Sequence, residues 1–230
     1  MRTSKPRESA PGSLTRDRII EAANVMFAEH GVEGVSLREL TVRAGVNLAA
    51  VHYHFGSKEG VLAELFARSS KPIVEWRLEL LGKVRRRRDG RPVLEDVLDA
   101  FLRPALHAGR RQNASFVHLR ARLALERGEA TRRILSESFD ESSRQFMDAL
   151  AAAMPDLRRE ELNWRFHFLI GAMVYTMADS GRIQTLSDGT CDPSDSEEAL
   201  ERMVAVFAGV FRAGASGKSP AKARRRPKQE

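Results

Sequence analysis

Helical periodicity runs through most of the chain and leaves little room for a sheet. From Ile19 onward apolar side chains recur every three or four residues, and no segment shows sustained alternation of apolar and polar residues. We therefore predict an all-α fold. The spacing predicts helices over 15–30, 37–44, 48–55, 57–80, 92–102, 114–126, 129–153, 159–182 and 195–213. Pro72 and Pro104 are expected to kink or interrupt two of them.

Composition separates a nearly neutral body from basic ends. The formal net charge of the 230 residues is +7, but 1–14 and 212–230 together hold ten basic and two acidic side chains. A nucleic-acid surface on the body would thus depend on a few placed residues, with the ends adding unspecific attraction. We predict a disordered basic arm over 1–14, a helix-turn-helix domain over 15–67, a helical regulatory and dimerisation domain over 68–213, and a disordered basic tail over 214–230.

Several protein classes are not expected. A single cysteine, Cys191, allows no intramolecular disulfide framework and no multi-cysteine zinc site. The longest uncharged stretch, 166–178, falls short of the roughly 20 residues that cross a bilayer, so we expect a cytoplasmic, nucleoid-associated protein without a membrane partner. The histidines lack ligand spacing and the common catalytic motifs are missing, so we expect no metal, no cofactor and no catalytic residues.

Residues 36–55 have the dimensions of a helix-turn-helix motif. Ser36 is a good N-cap residue, and Glu39 three positions later completes a capping box. Gly45 stands where the turn requires a left-handed backbone conformation, and Val51 takes an inward position. Two helices of about two turns each, joined at this glycine, predict a DNA-binding unit.

The stretch from Arg16 to Leu65 also resembles the TetR family of bacterial transcriptional regulators. The resemblance rests on the runs REL over 38–40, RAGV over 43–46 and HFGSKE over 54–59, in that order after the first helix. Two positions depart from the usual pattern, because Thr41 replaces an alanine and His52 replaces a tyrosine. The stretch 47–59 is similar to a subset of the family that reads NQAAVNYHFGSKE.

The resemblance implies that the helix over 48–55 enters the major groove of a double-stranded DNA operator. Asn47 and His52 would then face base edges, while Leu48 and Ala49 would touch thymine methyl groups. Phosphate contacts are expected from Ser36, Arg38, Tyr53 and Lys58. Lys58 is well placed for this role, because it lies at a helix start that already favours an anion.

The C-terminal two thirds offers only periodicity. The segment 159–182 is apolar on two faces and therefore needs two partners. Because the resemblance implies a homodimer joined by the last two long helices, the seam is expected at Leu169, Met173, Phe207 and Val210. An effector pocket is expected among Phe116, Leu119, Leu123, Phe139, Phe146, Trp164 and Phe168.

The expected function is a repressor released by a small apolar or fatty-acyl-like effector. A DNA-binding protein without an effector, whose C-terminal domain only dimerises or binds a protein partner, remains an alternative. A helical enzyme or carrier is a third reading, against which the placement of Gly45, Asn47 and Lys58 argues.

Overall fold

The computed structural model describes residues 11–107, 114–126, 128–178 and 181–213. Within these ranges the chain forms ten α-helices and no β-strand; an isolated antiparallel bridge joins Arg86 to Pro92. The all-α prediction is confirmed for this part of the chain. The tail over 214–230 and residues 1–10 of the predicted arm lie outside the described residues.

The helices fall into two groups along the chain. The first four are α1 (Pro11–His30), α2 (Leu37–Ala44), α3 (Leu48–Phe55) and α4 (Lys58–Gly82). The remaining six are α5 (Leu94–Leu106), α6 (Ala114–Leu123), α7 (Glu129–Ala153), α8 (Arg159–Ala178), α9 (Arg182–Leu186) and α10 (Ser196–Arg212).

Prolines account for most differences from the predicted helices. Helix α1 begins at Pro11, so residues 11–14 belong to a helix and not to the arm; a proline at the first helical position loses no hydrogen bond. Pro72 and Pro104 lie inside α4 and α5, which continue through them. Pro92 does not begin a helix, because α5 starts at Leu94. The stretch 183–194, which lies between two predicted helices and is itself not predicted to be helical, contains most of the short helix α9.

The first four helices pack against one another and contribute one part of a continuous apolar core. Ile19 and Phe27 of α1, Leu40 of α2 and Val51 of α3 are all fully buried in this part. Burial of this apolar surface stabilises α2 and α3, which have only eight residues each and would have marginal helical stability as isolated segments.

Helix α4 connects this core to the second group. It runs without a break from Lys58 to Gly82 and packs against α7 and α5, while α1 packs against α6. The predicted domain boundary between 67 and 68 therefore lies inside a continuous helix. The position of the helix-turn-helix unit is set by α4 and by the contact between α1 and α6.

Candidate DNA-binding surface

Helix α2 begins at the predicted capping box. The Oγ of Ser36 accepts a hydrogen bond from the backbone N–H of Glu39 at 3.2 Å, and the backbone N–H of Ser36 donates to the Glu39 carboxylate at 2.9 Å. The hydroxyl of Ser36 also donates to the Glu39 carboxylate at 2.7 Å. This hydrogen bond, followed by the one from the Ser36 backbone N–H, holds the pKa of Glu39 below its ordinary value of 4.5. The box fixes the start of α2, and with it the direction in which Arg38 leaves the helix.

The turn between α2 and α3 depends on Gly45. Its φ of 61° lies in the left-handed region, as the sequence predicts. The Nη2 of Arg18 donates to the Gly45 carbonyl at 2.9 Å, and a Cβ at position 45 would lie 2.4 Å from that nitrogen. Arg18 thus fastens α1 to the turn, a contact between distant residues that no local pattern indicates.

Helix α3 exposes one side and buries the other. Val51 is fully buried against the core, whereas Leu48, Ala49, His52 and Tyr53 are exposed, Tyr53 to 85%. The structure therefore brings four of the predicted contact residues together on one solvent-facing surface. We call Leu48, Ala49, His52 and Tyr53 the α3 face.

Asn47 has a more restricted role than the sequence predicts. Its side-chain oxygen accepts a hydrogen bond from the Ala50 N–H at 2.8 Å and caps α3. Because that oxygen already accepts a hydrogen bond, Asn47 can contact a base by donating its side-chain amide hydrogens to an acceptor.

The ring of His52 is held at one nitrogen. Its Nδ1 lies 3.0 Å from the carbonyl oxygen of Gly56. Because a carbonyl oxygen only accepts hydrogen bonds, Nδ1 must carry the proton, and in the neutral ring Nε2 is then an acceptor. In the major groove an acceptor of this kind matches the exocyclic amino groups of adenine and cytosine.

Lys58 is the first residue of α4 and directly follows the N-cap Ser57, whose Oγ accepts from the Gly60 N–H at 3.1 Å. The stem of Lys58 is half-buried, and its Nζ lies 3.7 Å from a carboxylate oxygen of the exposed Glu33. The ammonium is thus held near a helix N-terminus, where backbone N–H groups and the helix dipole favour an anion. Ser36 and Arg38 are exposed at the start of α2.

The departure at Thr41 is accommodated within its own helix. Thr41 is buried, and its hydroxyl donates to the carbonyl of Arg38 at 2.8 Å. The additional polar atom is therefore satisfied without a partner from another helix.

Most of the residues predicted to form the dimer seam face the interior of the chain instead of the solvent. Leu169 and Met173 are buried within the chain itself, Phe207 of α10 is buried with them, and Val210 is half-buried. The assignment of these four residues to an open seam is wrong for Leu169, Met173 and Phe207. They complete the core between α8, α10, α4 and α5.

The opposite stripe of α8 is the exposed one. Trp164 and Phe168 are each 55% exposed, and their rings lie 5.9 Å apart. They therefore do not line an internal pocket, contrary to the prediction. The other five pocket candidates are buried in the second group of helices: Phe116, Leu119, Leu123, Phe139 and Phe146.

Buried Arg165 is the reason why apolar periodicity predicts the wrong face of α8 for the dimer seam. Its guanidinium donates to Glu161 and to the backbone carbonyls of Val210 and Phe211 at 2.7 and 3.0 Å. A charged residue therefore points inward on α8 while two aromatic residues point outward, which reverses the usual pattern.

The described residues hold no group of three metal-ligating side chains, and none of their helices is long and apolar enough to cross a membrane.

Two family models match the chain. Residues 19–65 match the model described as bacterial regulatory proteins of the tetR family, and residues 99–209 match the C-terminal domain described as tetracyclin repressor-like. Both describe regulatory proteins rather than enzymes. The first match contains α2, α3 and the start of α4, and the second contains α6 to α9 with most of α5 and α10.

Curated relatives match the N-terminal part. The HTH-type transcriptional regulator AcrR of Shigella flexneri is 35% identical over 69 residues, which cover 30% of this chain and 32% of that protein. The HTH-type transcriptional repressor AcnR of Corynebacterium glutamicum is 41% identical over 51 residues, 22% of this chain and 27% of that one. The matches thus span about a third or less of these relatives' length.

Solved structures share the whole fold at low sequence identity. The fatty acid degradation regulator FadR from Bacillus halodurans superposes with a TM-score of 0.65 and 15% identity, covering 90% of this chain and 99% of that one. A TerR/AcrR family transcriptional regulator from Aquifex aeolicus gives a TM-score of 0.55 and 22% identity over 84% of this chain and 99% of that one.

Proposed function

Because the chain belongs to the TetR family of bacterial regulatory proteins, we propose that it is a homodimeric, sequence-specific DNA-binding repressor that a small lipophilic effector releases from its operator. The observation that carries the proposal is the α3 face. A short helix capped by Asn47 and held to the core by Val51 presents four exposed side chains on one side. This is the arrangement a recognition helix needs in the major groove.

The residues divide into readers and positioners. On the α3 face, His52 accepts a hydrogen bond from a base amino group, and Leu48 and Ala49 contact thymine methyl groups. Asn47 donates through its side-chain amide. Ser36, Arg38, Tyr53 and Lys58 bind phosphate oxygens on either side and fix the register of α3 in the groove.

The homodimer uses the exposed stripe of α8 in place of the seam expected from the sequence. Trp164, Phe168 and Tyr175 of α8 and Val206 of α10 are all more than half exposed, and the two helices pack against each other. A set of exposed large apolar side chains on adjacent helices is typical of a protein interface. Two copies joined there would present two α3 helices to half-sites about one turn of DNA apart.

The effector acts through the two helices that reach the DNA-binding unit. Helix α4 is shared by both groups of helices, and α6 packs against α1. An effector that binds better when α4 and α6 are displaced shifts the population toward dimers whose recognition helices no longer match the half-sites. The buried aromatic side chains Phe116, Phe139 and Phe146 favour a lipophilic molecule. The similarity to a fatty acid degradation regulator supports the same class.

Selection of binding sites from random duplex DNA by the full chain tests the proposal. We expect enrichment of a palindrome, with protection of two half-sites in a footprint. The Val42→Ala variant serves as a control, because Val42 is exposed on α2 outside the α3 face. Recovery of no common sequence would overturn the proposal.

A further inference from the structure

Two arginines are buried where α4 and the second group of helices pack together, and neither has an acidic partner among the described residues. Arg77 of α4 is 0% exposed and Arg120 of α6 is 6% exposed. Among the described residues neither forms an ion pair with a carboxylate, whereas buried Arg165 pairs with Glu161 and two backbone carbonyls. Fully buried charges are rare in proteins unless they are paired.

The contacts of the two guanidinium groups leave hydrogen-bonding capacity unused. Arg77 donates from Nε to the Phe101 carbonyl at 2.9 Å, and its Nη2 lies 3.6 Å from the sulfur of Met173. Arg120 lies over the ring of Phe139, with its Cζ 4.2 Å from the ring centroid. The Nη1 of each arginine is buried and has no hydrogen-bond partner among the described residues.

This arrangement is electrostatically unfavourable as it stands. Burial lowers the pKa of Arg120 to about 10, so its guanidinium remains charged at neutral pH. Burial, together with the positive charge of nearby Arg120, lowers the pKa of Arg77 well below its ordinary value. Buried cations that repel each other and lack a carboxylate are unfavourable in a ligand-free interior, so packing alone does not account for them.

Aromatic side chains surround the pair. Arg77 stacks on Phe101 at 4.0 Å, and the Phe101 ring contacts those of Phe146 and Phe166 at 5.2 and 5.1 Å. A place with two cations inside an apolar shell has the chemistry needed to hold an amphipathic anion.

We propose that Arg77 and Arg120 together bind the anionic head group of the effector, a carboxylate or a phosphate, whose apolar part lies among the surrounding aromatic side chains. The proposal rests on the function proposed above and names the chemical class of its effector. It also supplies a linkage, because the two arginines lie on α4 and α6, the helices that contact the DNA-binding unit. An anion between them draws these two helices toward one another.

The test compares head groups on one apolar chain. Dodecanoate, dodecyl phosphate, dodecanol and acetate are titrated into the full chain by calorimetry. We expect at least one of the two anionic amphiphiles to bind about tenfold or more tightly than dodecanol, the worth of one charge-assisted hydrogen bond. The ratio between dodecanoate and dodecyl phosphate distinguishes the two head groups. Equal binding of dodecanol and both anions would overturn the proposal.

Three arginine variants separate a ligand role from a structural one. Without ligand, Arg77→Met and Arg120→Met should keep or raise the melting temperature, because each removes an unpaired buried charge. Both should lose the preference for anions. Arg165→Met is the matched control, and it should lower the melting temperature while keeping that preference. If the first two variants melt as early as Arg165→Met and still prefer anions, the arginines are structural.

A fourth variant keeps both arginines and provides Arg77 with a carboxylate from the chain itself. Met173→Glu places a carboxylate near Nη2 of Arg77, and Met173→Gln is its neutral control. We expect the glutamate variant alone to weaken binding of the anionic probes. Equal anion binding by both variants would argue against the site. Operator selection by the ligand-free chain is a separate measurement, so failure of the DNA-binding proposal is distinguishable from failure of this one.

Discussion

At the scale of single residues, the proposed DNA-binding surface separates side chains that we assign to base reading from those that we assign to phosphate contacts. His52 has one ring nitrogen engaged by the Gly56 carbonyl, so its ring is oriented and its other nitrogen has a defined polarity. Lys58 carries its charge on an ammonium group at a helix start, which attracts a phosphate oxygen without distinguishing one base from another. Their substitutions should therefore have different signatures.

Lys58→Ala should weaken binding to all duplex sequences alike and reduce the salt dependence of binding by about one ion, as expected for one lost phosphate contact. His52→Ala should instead relax base choice at one position of each half-site. Fluorescence anisotropy over a salt series measures the first effect, and repeated site selection measures the second. Lys71→Ala is the control, because Lys71 is exposed farther along α4. An unchanged salt slope for Lys58→Ala, or an unchanged consensus for His52→Ala, would contradict these assignments.

Gly45→Ala should destabilise the DNA-binding unit. Alanine in the left-handed region costs about 1 kcal/mol, and the new Cβ would also displace Arg18 from the turn. We expect a lower melting temperature and weaker operator binding. Gly82→Ala is the matched control, because Gly82 ends α4 with no atom near its Cβ position. Equal melting temperatures for the two variants would show that the turn tolerates a side chain.

Residue roles were predictable where they are local. The sequence predicts the cap at Ser36 and the left-handed glycine, because both depend on neighbours within four positions. The capping role of Asn47 follows the same rule, although the family resemblance alone implies base reading at this position. The hydrogen bond from Arg18 to Gly45 joins residues 27 positions apart, and the buried pair Arg77 and Arg120 has no sequence signature at all.

At the scale of elements, α2 and α3 are too short to form without caps and a core. Each has eight residues and an N-cap side chain that accepts a backbone hydrogen bond. The position of the α3 face thus depends also on the capping box at the start of α2, the helix that precedes α3 in the chain.

Glu39→Gln tests the capping box through pH. The folded-state pKa of Glu39 is lowered, so its ionised form contributes stability above the unfolded pKa, and this is lost as pH falls through the folded pKa. The melting temperatures of the wild type and the variant should differ at pH 7 and converge as the pH falls through the lowered folded-state pKa of Glu39. Glu141→Gln is the control, since Glu141 is exposed on α7. A difference that does not depend on pH would mean that the carboxylate charge is not what holds the box.

Element existence was more predictable than element orientation. The predicted helix over 129–153 coincides with α7, because its periodicity is unbroken by proline or glycine. The helix predicted to run through Pro72 is present as α4. The interruption predicted near Pro104 is absent, because packing of α5 outweighs one lost hydrogen bond. The prediction exposes the wrong stripe of α8. Both stripes are apolar, and the tertiary contacts of Arg165 determine which of them is buried.

At the scale of the whole molecule, two connections join the regulatory helices to the recognition helix. Helix α4 carries Lys58 at one end and Arg77 five turns later, and α6 places Arg120 in the interior while packing on α1. A molecule bound by both arginines therefore acts on both connections at once. In a dimer each copy would move its own recognition helix, so a small displacement of α4 would change the distance between the two recognition helices by twice as much.

Phe168→Glu tests whether that dimer forms through the exposed stripe of α8. A two-fold interface repeats each defect, so the substitution places two carboxylates in an apolar seam. Because Phe168 is 55% exposed in the single chain, we expect the variant to remain folded yet sediment as a monomer and lose operator affinity. Leu125→Glu is the control, because Leu125 is 77% exposed and belongs to neither α8 nor α10. Sedimentation of the three proteins at one micromolar-range concentration decides the matter. A dimeric Phe168→Glu would place the interface elsewhere, and a monomeric wild type would leave the two recognition helices without a fixed spacing.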